Sequence, residues 1–328
     1  MIRWCAAIAP QSSAASAEPR SNPLTNSPSA RPMAKLQRHA PPPGWKNPLA
    51  PQQPLASLRW ILGGLAATLG LAVVCVYIAF CLLFWQGQWQ LVFKPSRTIT
   101  ATPAAAGLKY DEIAFDATET GVLQLSGWWI PAERDAPYAT DTLLFLHDGS
   151  GSVSDTVSRL PDWHKLGINI FVFDYRGFGK SANIHPSQAS TYEDADAAWR
   201  YLTDTRHLSP STIVLDGTGL GASIAAETAR RHPQAAALIL EDPQPPTLES
   251  LQFDPRMHLL PIRLLFHDRF DPAPTLAQVR TPKLFLYRAL DSSGRYYDQS
   301  AEPKQRAKLD TNYVANLRSF LSKYLPGA

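Results

Sequence analysis

Hydrophobic and polar residues follow three different regimes along this chain. Residues 1–57 show neither a helical nor a strand period, and eleven of the 29 prolines fall there among Ser, Ala, Asn and Gln. Such a composition cannot bury enough apolar surface to offset the entropy of ordering, so it predicts a disordered tail. Met33 opens a second candidate start, MAKLQRHAPPPGWKNP, inside that tail. The second regime runs from Trp60 to Phe84, 25 residues with Thr68 as the one conventionally polar side chain. At ~1.5 Å per residue this covers roughly 37 Å, more than the ~30 Å hydrocarbon core of a bilayer. It predicts a single transmembrane anchor over 58–86. A cleavable signal would be shorter and end in small residues, whereas this run ends in the bulky CLLFWQGQW, and a core helix would carry a polar face.

From residue 94 onward the pattern becomes short apolar runs alternating with helical stretches. Strands are predicted at 112–116, 122–130, 142–147, 169–174, 212–216, 236–241 and 283–287. LLFLH, IFVFD and ALILE are continuously apolar, as strands buried on both faces are. Helices are predicted at 191–203, where Ala195, Ala198, Trp199 and Leu202 share a face, and at 220–231 and 312–324. The alternation implies an α/β domain over 94–328 with a mostly parallel sheet covered by helices on both sides. Residues 243–281 interrupt the rhythm and predict an insertion or cap.

Charge separates the same three parts. Residues 1–59 carry seven basic residues and one acid (+6), 60–93 carry none, and 94–328 carry 24 basic and 27 acidic residues (−3). The positive-inside rule places the tail in the cytoplasm and the α/β domain on the extracytoplasmic side, with Trp85 and Trp89 at the interface. The domain lacks the basic excess of a nucleic-acid binder. Cys5, Cys75 and Cys81 all precede it, which excludes thiolate nucleophiles, disulfides and cysteine-bound zinc within it. No HExxH is present and the histidines lack ligand spacing, so no metal and no cofactor is expected.

Six segments in order, LLFLHDGSGS, GINIFVFDYRGFGKS, IVLDGTGLGAS, LILED, LLFHDRFDP and TPKLFLYRALD, resemble the α/β-hydrolase superfamily. The resemblance is to its membrane-anchored serine-hydrolase branch, related to prolyl-oligopeptidase-like and dienelactone-hydrolase-like enzymes. FDYRGFGKS (173–181) is the most specific part. The resemblance implies a serine at the centre of G-x-S-x-G, then an acid, then a histidine. Here the turn reads Gly217-Thr218-Gly219-Leu220-Gly221, so the nucleophile position is Gly219. Asp291 stands at the acid position, and all eight histidines precede it, leaving no triad histidine. The backbone N–H groups of Gly149 and Leu220 correspond to the oxyanion hole, and Asp148 sets a carboxylate beside it. His147 matches a structural histidine of the family. The expectation is a hydrolase descendant with a degenerate triad, a pseudoenzyme binding a small molecule or a protein. An active hydrolase with another nucleophile (Thr218, Ser223 or Asp216) stays open. So does a dinucleotide binder, because GTGLGA fits G-x-G-x-x-A with Glu241 and Asp242 ending the next strand.

Overall fold

The computed structural model describes residues 40–49, 57–118, 120–288 and 294–325. Most of the expected tail, including Met33, lies outside the described residues, as does Asp291. The chain forms two compact units, Met1–Ile61 and Leu62–Ala328. In the first, 40–49 are exposed and form turns only.

Helix α1, Leu58–Gly87, contains 30 residues and buries none of them. Its mean hydropathy reaches 2.5 over 18 residues, so it is a candidate membrane span by length and composition. A core helix would bury one face, and none of these residues is buried.

Eight strands make one sheet: β1 Asp111–Asp116, β2 Leu123–Ile130, β3 Tyr138–Leu146, β4 Ile168–Asp174, β5 Ile213–Thr218, β6 Ala237–Glu241, β7 Lys283–Tyr287 and β8 Lys304–Lys308. Their order is β8-β7-β6-β5-β3-β4-β2-β1. Pairing is parallel from β8 to β4, whereas β2 pairs antiparallel with both β4 and β1. A two-residue parallel bridge also joins Lys94–Pro95, just after α1, to Ser150–Gly151 beyond β3.

The apolar strands are buried on both faces because successive side chains point to opposite sides. On one side Leu144, Leu146, Phe171, Phe173, Leu215 and Leu240 pack with α3 (Gln188–Arg200) and α4 (Leu220–Arg231). On the other, Leu143, Phe145, Ile170, Val172, Val214 and Ile239 pack with Trp163 of α2 (Leu160–His164) and with Leu317, Phe320 and Leu321 of α5 (Tyr313–Leu321). Each apolar strand therefore contributes to two cores.

The interruption at 243–281 consists of short helices, Thr247–Leu251, Ile262–Leu265 and Ala273–Leu276, between β6 and β7. Strand β8 (KQRAK) has no apolar run and lies at the sheet edge, where polar residues are tolerated because one side has no neighbour.

Candidate functional site: a self-occupied anion cradle

The centre of the carboxyl edge is the turn from β5 into α4. Gly219, its apex, has φ 58° and ψ −117°, a conformation that L side chains rarely adopt. The flanking glycines serve close approach. A Cβ on Gly217 would meet the Gly221 carbonyl oxygen at 2.2 Å, and one on Gly221 would meet the Leu146 carbonyl oxygen at 2.0 Å. Helix α4 thus starts pressed against the end of β3.

That approach brings together residues 72 positions apart. One oxygen of Asp148, Oδ1, accepts hydrogen bonds from the backbone N–H groups of Gly149 and Leu220, both at 2.8 Å. Leu220 is the first residue of α4, so its donor also carries the positive end of the helix dipole. Two convergent N–H donors form a cradle for an anion, and the anion in it is the chain's own carboxylate. Gln244 Nε2 approaches Asp148 Oδ2 at 3.4 Å. A Cβ at 219 would lie 2.6 Å from Asp148 Oδ1 and 2.8 Å from its Cγ. Asp148 therefore takes up both the donors and part of the space that a side chain at 219 needs.

Of the neighbouring groups, Ser223 is committed elsewhere, whereas neither carboxylate oxygen of Asp216 has a hydrogen-bond partner. The buried Ser223 hydroxyl donates to the Phe270 carbonyl at 3.1 Å. Asp216 is fully buried in β5. Burial, then Glu241, pushes its carboxyl well above the usual range against the pull of Arg159. His147 is buried, with Nδ1 2.7 Å from the Asp148 carbonyl oxygen and its ring against Tyr175 and Phe178. Burial lowers its pKa to about 4, the Asp148 carbonyl being the main opposing influence. His185 stacks on Trp89, His232 meets Asp196 at 2.9 Å, and His267 accepts from Trp85 at 2.6 Å. The loop between β8 and α5, residues 309–312, reads Leu-Asp-Thr-Asn.

A profile of the serine aminopeptidase S33 family matches residues 139–260. An uncharacterized protein of Mycobacterium tuberculosis is 28% identical over 243 residues, 71% of this chain and 83% of that protein. Mouse alpha/beta hydrolase domain-containing protein 17C is 28% identical over 212 residues, 60% of this chain and 64% of that protein. Among solved structures, a Pyrococcus furiosus esterase superposes with a TM-score of 0.55 at 17% identity, over 71% of this chain and 98% of the esterase. The chain belongs to the α/β-hydrolase superfamily.

In this α/β-hydrolase fold, FDYRGFGKS acts as a set of staples. Asp174 Oδ1 accepts from the Val153 N–H at 2.7 Å, tying the loop after β3 to the end of β4. Arg176 runs the other way, donating to Asp194 of α3 through Nε (2.5 Å) and through its backbone N–H (2.8 Å), and to Glu193 through Nη2 (2.7 Å). Burial pushes the Asp194 carboxyl up to about 7 even with Arg176 opposing it. The motif ties the loop after β3 and helix α3 to the end of β4.

Sequence reasoning missed one cluster of the hydrolase domain. Arg159 Nη2 donates to Glu241 Oε1 at 2.6 Å, and the Tyr313 hydroxyl donates to the same oxygen at 2.7 Å. Asp162, Arg288 and Leu309 complete the wall of a cavity of about 310 Å³ beyond β6–β8. No sequence signal links residues 82 and 72 positions apart on three elements. Among the described residues, no group of three or more His, Cys, Asp or Glu stands together to hold a metal ion.

Proposed function

We propose that this chain is a membrane-anchored α/β-hydrolase-fold protein that binds a ligand or partner protein and does not perform serine hydrolysis. The observation that carries the reading is Asp148 Oδ1 resting on the Gly149 and Leu220 N–H groups beside a residue without a side chain. Those N–H groups correspond to the donors that would stabilise the oxyanion of acyl transfer. A carboxylate already there opposes a second negative charge and fills its place. Loss of Ser or His alone costs on the order of a millionfold in kcat. Gly219 and the histidine-free loop 309–312 support the loss of both. Asp291 is the remnant of the acid.

The same cradle weighs against dinucleotide binding, because a pyrophosphate would need the donors that Asp148 holds. Glu241, which would take a ribose, is bound to Arg159 and Tyr313. The basic tail is assigned to the cytoplasm, the domain to the far side, by the positive-inside rule.

The test is to treat the full chain in detergent with a fluorophosphonate probe and with p-nitrophenyl esters. Neither labelling nor turnover is expected, and Gly219→Ser leaves both absent because no base is supplied. Labelling that disappears on substituting a single Ser or Thr would overturn the reading.

A further inference from the structure

The segment 253–265, between β6 and β7, turns large apolar side chains outward. Phe253, Leu259 and Leu264 are 82%, 75% and 76% exposed. An apolar surface of this kind marks contact with something other than water.

Its place along α1 identifies that medium. Tyr77 Oη donates to the Leu259 carbonyl at 3.3 Å, Trp85 Nε1 to His267 at 2.6 Å, and Gln88 Nε2 to the Leu265 carbonyl at 3.0 Å. The His267 N–H donates back to Gln88 Oε1 at 2.8 Å. The segment therefore runs alongside the last turns of α1 and does not merely abut its end. Tyr77 lies seven residues before Phe84, where the apolar run stops, which is about 10 Å inside it.

We propose that segment 253–265 is immersed in the hydrocarbon of the same leaflet that holds the C-terminal half of α1. The inference rests on the reading of α1 as a membrane span and extends that contact to the hydrolase domain itself. At that depth an unpaired hydroxyl or carbonyl is costly, and Tyr77 and Leu259 satisfy each other. Two other polar groups turn back towards Gln252. His258 Nε2 lies 3.1 Å from the Gln252 carbonyl oxygen, and Arg263 Nη2 donates to Gln252 Oε1 at 3.4 Å. Asp254, Arg256 and Arg263 are its charged residues, net +1. The cleft of about 360 Å³ between Leu265 and the α1 residues Tyr77, Ile78, Cys81, Leu82 and Trp85 is almost wholly apolar, a space for acyl chains and not for water.

The test uses the full chain with its three native cysteines replaced by alanine. A single nitroxide-labelled cysteine is placed at Val76, Leu259, Leu264 or Val122, the last an exposed apolar residue of the β1–β2 turn. Each variant is reconstituted into phosphatidylcholine/phosphatidylglycerol nanodiscs, and relaxation by oxygen is compared with relaxation by a water-soluble nickel chelate. Labels at Leu259 and Leu264 should match Val76, with oxygen access exceeding chelate access several-fold, while Val122 shows the reverse. Chelate access at Leu259 and Leu264 with Val76 protected overturns the immersion alone. Chelate access at Val76 overturns the span and the immersion together.

Discussion

Gly219→Ser should destabilise the protein, and most of the cost should vanish when Asp148 is removed as well. The new Cβ would stand 2.6 Å from Asp148 Oδ1 and 2.8 Å from Cγ, far inside ordinary contact. Asp148 cannot withdraw freely, because leaving means giving up two 2.8 Å hydrogen bonds to its charged oxygen. For a partly exposed carboxylate that loss is worth about 2–3 kcal/mol. The backbone at φ 58°, ψ −117° adds about 1–3 kcal/mol for any side chain. The single variant should therefore lose about 3–6 kcal/mol. At about 2–4 °C per kcal/mol for a domain of this size, Tm falls by roughly 6–24 °C. In an Asp148→Ala background only the backbone term remains, so the double-mutant cycle should show about 2–3 kcal/mol of coupling. Thermal unfolding of the full chain in detergent, followed by near-ultraviolet circular dichroism, measures all four corners. Equal costs of Gly219→Ser in both backgrounds, with coupling below about 0.5 kcal/mol, would refute the account of the cradle.

Other consequences are equally open to measurement. Arg159→Gln leaves Glu241 and Asp216 buried without their cation and should cost about 3–5 kcal/mol, read as a lower Tm; a loss under about 1 kcal/mol contradicts the buried pairing. Arg176→Ala should cost a similar about 3–5 kcal/mol by stranding buried Asp194, and a variant that melts like the parent would show that FDYRGFGKS is not a staple. Asp141 is buried, neither carboxylate oxygen has a hydrogen-bond partner, and burial pushes its pKa up to about 6. Between about pH 4 and 6 the folded form keeps a proton that the unfolded form has released, so this group's contribution to stability falls as pH rises and levels off above 6. Asp141→Asn should accordingly add up to about 3 kcal/mol at pH 7 and little at pH 4; a pH-independent gain in Tm would refute the titration.

Much of the architecture is legible because the central strands are wet on neither face. LLFL, IFVF and ALIL are apolar throughout, and each lies in the middle of the sheet. The predicted 142–147 starts late because β3 begins at Tyr138, where it pairs with β4 before a break in register. Strand β8 escaped notice because an edge strand of Lys, Gln and Arg has no hydrophobic signature. Predicted helix 191–203 is displaced from α3, which starts earlier, where Ser187 caps it by accepting from the Ser190 N–H, and passes into a wider turn at Tyr201–Thr205. At the candidate site, residue identity at 148 and 219 is plain in the sequence. That Asp148 reaches Leu220 is not, since it depends on how closely Gly221 lets α4 approach β3. The Arg159–Glu241–Tyr313 cluster is illegible for the same reason, being a product of topology alone.

The short bridge between Lys94–Pro95 and Ser150–Gly151 joins the chain just after α1 to the loop beyond β3. Lys94 N–H donates to the Gly149 carbonyl and Ser96 N–H to that of Gly151, each at 2.7 Å. Gly149 is also the residue whose N–H holds Asp148. Only six residues separate the end of α1 from this bridge, so the cradle hangs on a tether with almost no slack. A molecule that reaches the cradle must do so within a few residues' length of wherever α1 ends.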